Sequence, residues 1–166
     1  REGDETAFAA LIAAHPDLAQ AQGTNGNNLL QLAMSFRRWE AMRLLLRKGA
    51  DPNQANNKGS TALHGAAYSM SRGDEAPWLA AIDALLAAGA DPDLEAYGDG
   101  GTPLMVALFW GRTAIAERLA KAGVTPLNLR VAAGLGRVGL MAAMFDAEGG
   151  LKPEGMRHRE FHRPHS

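Results

Sequence analysis

The sequence predicts an all-α fold, a solenoid of stacked helix-turn-helix units, and three observations carry that reading. Similar segments return along the chain: Gly26 and Gly59 open equivalent turns 33 residues apart, and Gly49–Ala50–Asp51–Pro52 comes back as Gly89–Ala90–Asp91–Pro92. Between these markers, apolar residues recur at helical spacing, as in Met42, Leu45 and Leu46. Alanine dominates the apolar residues and aromatics are only 6%. Closely packed helices suit that composition better than a β-sandwich, which draws on β-branched and aromatic side chains.

Taken in order, residues 1–22 read as the second half of an incomplete unit, and the first residues of the natural protein are expected to be missing. There Gly3–Asp4 precedes Phe8, Leu11 and Ile12 on one helical face, and Pro16 stops the helix. The second unit, 23–55, has a first helix with Leu29, Leu30, Leu32 and Ala33. Its second helix carries Met42, Leu45 and Leu46 and ends at Gly49, which supplies a left-handed turn. The third, 56–96, is lengthened, since Gly49 and Gly89 stand 40 residues apart, seven beyond the period. The excess falls in 70–78, where Ser71–Pro77 separates two helical patterns, and Pro77 suits the first turn of the helix that follows. The fourth, 97–125, contains Thr102–Pro103–Leu104. A short fifth, 126–147, keeps Leu129–Arg130–Val131–Ala132–Ala133 and Leu140–Met141 behind an abbreviated hairpin. From 148 to 166 the apolar period is lost in Gly, Pro, Arg and His, which reads as a flexible tail.

Neither helix of such a unit can bury its apolar stripe alone, so neighbouring units must supply the other wall. Alanine at 66, 67, 107, 132 and 133 lets first helices approach closely, and Leu45, Leu85 and Leu119 fill the wider space between second helices.

The stretch Gly59–Ser60–Thr61–Ala62–Leu63–His64–Gly65–Ala66–Ala67, followed by Leu85–Leu86–Ala87–Ala88–Gly89–Ala90–Asp91–Pro92, resembles the ankyrin repeat. That family's signature is T-P-L-H-x-A at a period of about 33 residues. The resemblance implies an ankyrin-repeat solenoid of four to five units over residues 1–147. It implies a non-catalytic scaffold that binds a partner protein through its concave face and hairpin turns. It also implies that Thr61 and His64 tie their turn with hydrogen bonds, with Thr102 at the matching place in the fourth unit. The second unit has Asn28 and Gln31 there, and the fourth has Met105 in place of the histidine, so those turns should be held less rigidly or differently.

Function classes narrow further from composition. The formal net charge of −1 gives no global field for nucleic acid or an anionic membrane. No cysteine is present, which excludes a disulfide framework and thiolate zinc sites. No apolar run approaches the roughly 20 residues of a membrane span, and no signal peptide is visible. The expected protein is cytoplasmic, with no cofactor, metal or small-molecule substrate. His64 has no catalytic partner at a telling spacing and reads as structural. His158, His162 and His165 have a metal-like spacing, but Pro164 and the neighbouring arginines argue for a solvated tail. Gly98–Thr102 lacks the lysine of a phosphate loop.

The candidate partner-binding residues are Phe36, Tyr68, Phe109 and Trp110, which fall at the ends of successive first helices. Lys58 and Asp99 join them as opposite charges at turn tips, and Arg72 and Asp74 lie in the inserted loop. Aromatics are enriched among interface hot spots; packing on one another is the other role open to these four. The insertion reads equally as a specificity loop or as a tolerated lengthening. Trp39 and Trp78 open second helices and read as packing residues. A second functional reading makes the array the regulatory or targeting module of a larger protein with a catalytic domain elsewhere.

Overall fold

The computed structural model describes residues 2–68, 74–97, 101–123 and 129–153. Among the described residues are nine α-helices and no named strand: α1 Glu2–Ala14, α2 Leu29–Ser35, α3 Trp39–Arg47, α4 Ala62–Ala67, α5 Ala76–Ala87, α6 Pro103–Phe109, α7 Thr113–Lys121, α8 Leu129–Gly134 and α9 Val138–Ala143. A 3-10 turn, Pro16–Gln20, follows α1. The helices pair as α2–α3, α4–α5, α6–α7 and α8–α9. First helices touch in the series α2, α4, α6, α8, and α1, α3, α5, α7 form a second layer. The fold is thus an all-α solenoid, and none of the described helices is long and apolar enough to cross a membrane.

The core lies between the layers. Leu45, Leu85 and Leu119 are fully buried in the second helices, joined by Met42, Ile82 and Ile115. Full burial of one such side chain is worth about 1.5–3 kcal/mol. Ala66, Ala67, Ala107 and Ala132 are likewise sealed, as small side chains between first helices must be. Ala133 departs from the expectation and is exposed. One residue further round α8 than Ala132, it turns about 100° away from α6. Leu11 and Leu32 are exposed for the same reason, their helices burying Ile12 on one side and Leu30, Ala33 and Met34 on the other. Helix α1 ends at Ala14, ahead of Pro16, whose preceding residue is steered out of helical geometry.

The hairpins stack through glycine. Gly26 and Gly59 both have φ of +74°. A Cβ on Gly26 would lie 2.6 Å from the Asn57 amide nitrogen, and one on Gly59 would lie 3.0 Å from that of Tyr97. That proximity lets the Asn57 N–H donate to the Asn25 carbonyl at 3.3 Å and the Tyr97 N–H to that of Lys58 at 2.8 Å. Glycine is required here for conformation and for space.

Residues 148–153, placed in the tail by composition, form such a hairpin. The Asp146 carboxylate accepts from the Glu148 and Gly150 amides at 3.1 and 2.6 Å. The Asn56 side chain does the same for Lys58 and Ser60 at 2.9 and 3.0 Å. The Lys152 N–H then returns to the Met144 carbonyl at 2.8 Å. An Asx residue two positions before the acceptor's partner amide is the local signal for this turn.

Candidate partner-binding face

The face is displayed by a scaffold whose hairpins are cross-tied by buried side chains. His64 is fully buried. Its Nε2 lies 3.0 Å from the Gly101 carbonyl and must carry the proton, because a carbonyl only accepts. Nδ1 is then free to accept the Thr61 N–H at 3.1 Å. Burial lowers the His64 pKa, against the opposing pull of the Gly101 bond. An imidazolium would set an Nδ1 proton against the Thr61 N–H, with only the Thr61 hydroxyl oxygen, at 3.0 Å, to accept it.

The second unit reaches the same result with amides. Asn28 Oδ1 accepts the Gln31 N–H at 2.8 Å, and Gln31 Oε1 accepts the Asn28 N–H at 3.0 Å, a reciprocal helix cap. Gln31 Nε2 donates onward to the Ser60 carbonyl in the next hairpin, as His64 does to that of Gly101. This turn is therefore held differently from the His64 turn, yet completely. In the fourth unit, Thr102 Oγ1 caps the Met105 N–H at 3.3 Å, while Met105 has no group with which to make the onward bond. A further tie escaped the sequence reading. The Gln20 amide brackets Gly49 and Asp51, donating at 2.6 Å and accepting at 3.2 Å. Asn53 brackets Gly89 and Asp91 in the same way, at 2.9 and 2.7 Å. Gln20 and Asn53 stand 33 residues apart, which was the available signal.

On this frame the candidate aromatics stand at the C-terminal ends of first helices. Phe36, Tyr68 and Trp110 are the C-cap residues of α2, α4 and α6, and Phe109 is the last residue of α6. Their relative exposures are 69%, 43%, 50% and 82% for Phe36, Tyr68, Trp110 and Phe109. Tyr68 and Trp110 meet at 6.3 Å between ring centroids, tilted by 56°, and Phe109 stands edge-on to Trp110 at 5.5 Å. These three therefore form one cluster that touches internally and still faces solvent, while Phe36 makes no ring contact among the described residues.

The two tryptophans at this end pack inward, Trp39 half-buried against the core. Trp78 is 4% exposed and meets Trp39 edge-on at 4.9 Å. Pro77 sits in the first turn of α5 and delivers Trp78 into that contact. The Arg37 guanidinium lies 5.8 Å from the Trp78 ring centroid, in cation–π range.

Arg37 is also the single non-glycine residue with positive φ among those described, at +55°. In the matching turns of the fourth and fifth units the position is Gly111, at +66°, and Gly136, at +63°. The turns share their bonds: Arg38, Arg112 and Arg137 donate to the carbonyls of Ala33, Ala107 and Ala132 at 2.8, 2.8 and 2.9 Å. Holding an L-residue in this left-handed region costs about 1–2 kcal/mol that glycine avoids. Arg37 thus carries a backbone cost that Gly111 and Gly136 avoid, and its side chain gains the contact with Trp78. Sequence reasoning passed it by, although Arg37–Arg38 against Gly111–Arg112 and Gly136–Arg137 exposes the substitution.

The charged candidates scatter. Lys58 is exposed at a hairpin tip, separated from Tyr68 by the whole of α4. Asp74 is exposed, and its Oδ1 accepts the Ala76 N–H at 2.9 Å at the start of α5. Its neighbour Glu75 pairs with Arg112 at 3.6 Å. Arg72 and Asp99 lie outside the described residues, as do His158, His162 and His165.

A model of ankyrin repeats, in three copies, matches residues 1–96, more than half of the chain. Among curated proteins, none matches.

Proposed function

Because the chain belongs to the ankyrin-repeat family, whose members generally mediate protein–protein interaction, we propose that it is a non-catalytic scaffold binding a partner protein through the concave face and hairpin turns. Phe36, Tyr68, Phe109 and Trp110 provide the apolar anchors, and Lys58 at its hairpin tip contributes charge. One observation carries the reading: four large aromatic side chains are left open to solvent at the ends of successive first helices, while the same fold buries Trp78. An exposed apolar cluster on a folded chain, as Tyr68, Trp110 and Phe109 form with Phe36 apart, supports an interaction surface there. The cross-tied hairpins support rigid recognition, in which little ordering entropy is lost on binding.

Affinity capture on the immobilised chain, with mass spectrometric identification, supplies the partner. Tyr68→Ala and Trp110→Ala then weaken its binding by about 1–4 kcal/mol each, the range of interface hot spots. Unchanged affinity in both variants would remove the aromatic cluster from the site.

A further inference from the structure

We propose that the turn end of the array, where Phe36, Tyr68, Phe109 and Trp110 are edged by Arg37 and Arg38, takes an acidic peptide segment bearing aromatic or aliphatic side chains. The inference rests on the partner-binding reading above and adds the chemistry of the partner.

Charge selects the sign. Arg37 and Arg38 are exposed, and neither has an ion-pair partner among the described residues. Of the carboxylates nearby, Glu40 pairs with Arg43 and Glu75 with Arg112, and Asp74 accepts the Ala76 N–H. At the opposite end the helix termini and loops carry both signs, Asp51 and Asp91 alongside Arg47, Lys48 and Lys121, so only the turn end selects for an acidic segment by sign. Such complementarity fixes orientation and register more than raw affinity. The backbone at Arg37 points the same way. Two matching turns use glycine, and here the left-handed position carries a guanidinium laid across Trp78 beside the open aromatics.

Ring geometry selects a peptide over a nucleic acid. Tyr68 and Trp110 are tilted by 56°, and Phe109 and Trp110 are nearly perpendicular at 86°. Rings so disposed present a faceted apolar surface of mixed edges and faces against which aromatic or aliphatic side chains can pack. They offer no run of parallel faces on which successive bases stack.

The test pans a displayed library of random dodecapeptides against the whole chain. Wild type should enrich peptides in which Asp or Glu flank Phe, Tyr, Trp or Leu. A fluorescein-labelled copy of an enriched peptide should bind less tightly as salt is raised. Arg37→Gly and Arg38→Ala should each weaken it by roughly fivefold or more. Arg37→Gly restores the residue that the other turns use, so a urea melt that holds its midpoint separates lost binding from lost folding. Enrichment without acidic bias, or equal binding by both arginine variants, overturns the inference and leaves the partner-binding reading intact. A wild type that enriches no peptide also overturns it, while the partner-binding reading is decided separately by affinity capture. Tighter binding of a labelled single-stranded oligonucleotide than of any enriched peptide overturns it in favour of nucleic acid.

Discussion

Two aromatic groups lie near each other at the turn end of the solenoid and have opposite fates. Trp39 and Trp78 stand in the first turns of α3 and α5 and meet edge-on, Trp39 half-buried and Trp78 buried with Arg37 over its ring. Tyr68, Phe109 and Trp110 end α4 and α6, meet at similar ring distances, and stay open. Contact between rings is therefore no test of core membership. A second-helix N-terminus points into the space between layers, whereas a first-helix C-cap projects beyond the layer, where no further element covers it among the described residues. The same side-chain chemistry packs into the fold in one place and stays open to solvent in the other.

The comparison breaks most visibly at Trp78. Trp78→Ala should cost about 3–5 kcal/mol, because a buried ring is lost together with its contacts to Trp39 and Arg37. Leu45→Ala and Leu85→Ala should cost about 2–5 kcal/mol each, both side chains being fully buried between second helices. Urea melts measure all three, and shifts below about half a kcal/mol would place those residues outside the core. Gln31→Ala should cost about 1–3 kcal/mol by leaving the buried Asn28 N–H without its acceptor. Combined with Asn28→Ala, it should give less than the sum, since both belong to one network.

A smaller effect follows pH. His64 is neutral in the fold and titrates below its ordinary value of about 6.5, chiefly because it is buried. Between the two pKa values the unfolded chain binds more protons than the folded one, so stability rises with pH through that window. It is fully present above about pH 6.5 and declines on acidification. The urea midpoint should be lower at pH 5 than at pH 7.5, and His64→Gln should flatten the difference. Glutamine is a fair replacement because Gln31 already performs this role one unit earlier. The smallest effect belongs to Trp110→Ala, which should change stability by less than about 1 kcal/mol.

The helix pairs and the all-α class were legible because apolar spacing and the Gly-Ala-Asp-Pro marker report burial directly. The locations of Phe36, Tyr68, Phe109 and Trp110 followed from the same register. Their division into one cluster and one separate ring did not, since neighbouring units meet in three dimensions and α4 ends one residue sooner after its cap than α2. The amide ties of Gln20, Gln31 and Asn53 were less visible still. A buried amide and a solvated one look alike in sequence, and only the 33-residue recurrence separates them. The hairpin at Asp146 was hidden by a glycine-rich composition that resembles a tail. Arg37 was missed because φ is a property of the backbone, detectable only by aligning its turn with the two that hold glycine.

The most direct measurement is a paired one on Trp78→Ala and Trp110→Ala, recording urea stability and affinity per folded molecule for the captured partner. The account predicts a crossed result. Trp78→Ala loses about 3–5 kcal/mol of stability and keeps its affinity once corrected for the folded fraction. Trp110→Ala keeps its stability and loses about 1–4 kcal/mol of binding. If Trp110→Ala instead collapses the fold while affinity per folded molecule stays put, the open aromatics belong to the core, and the proposed binding face is contradicted.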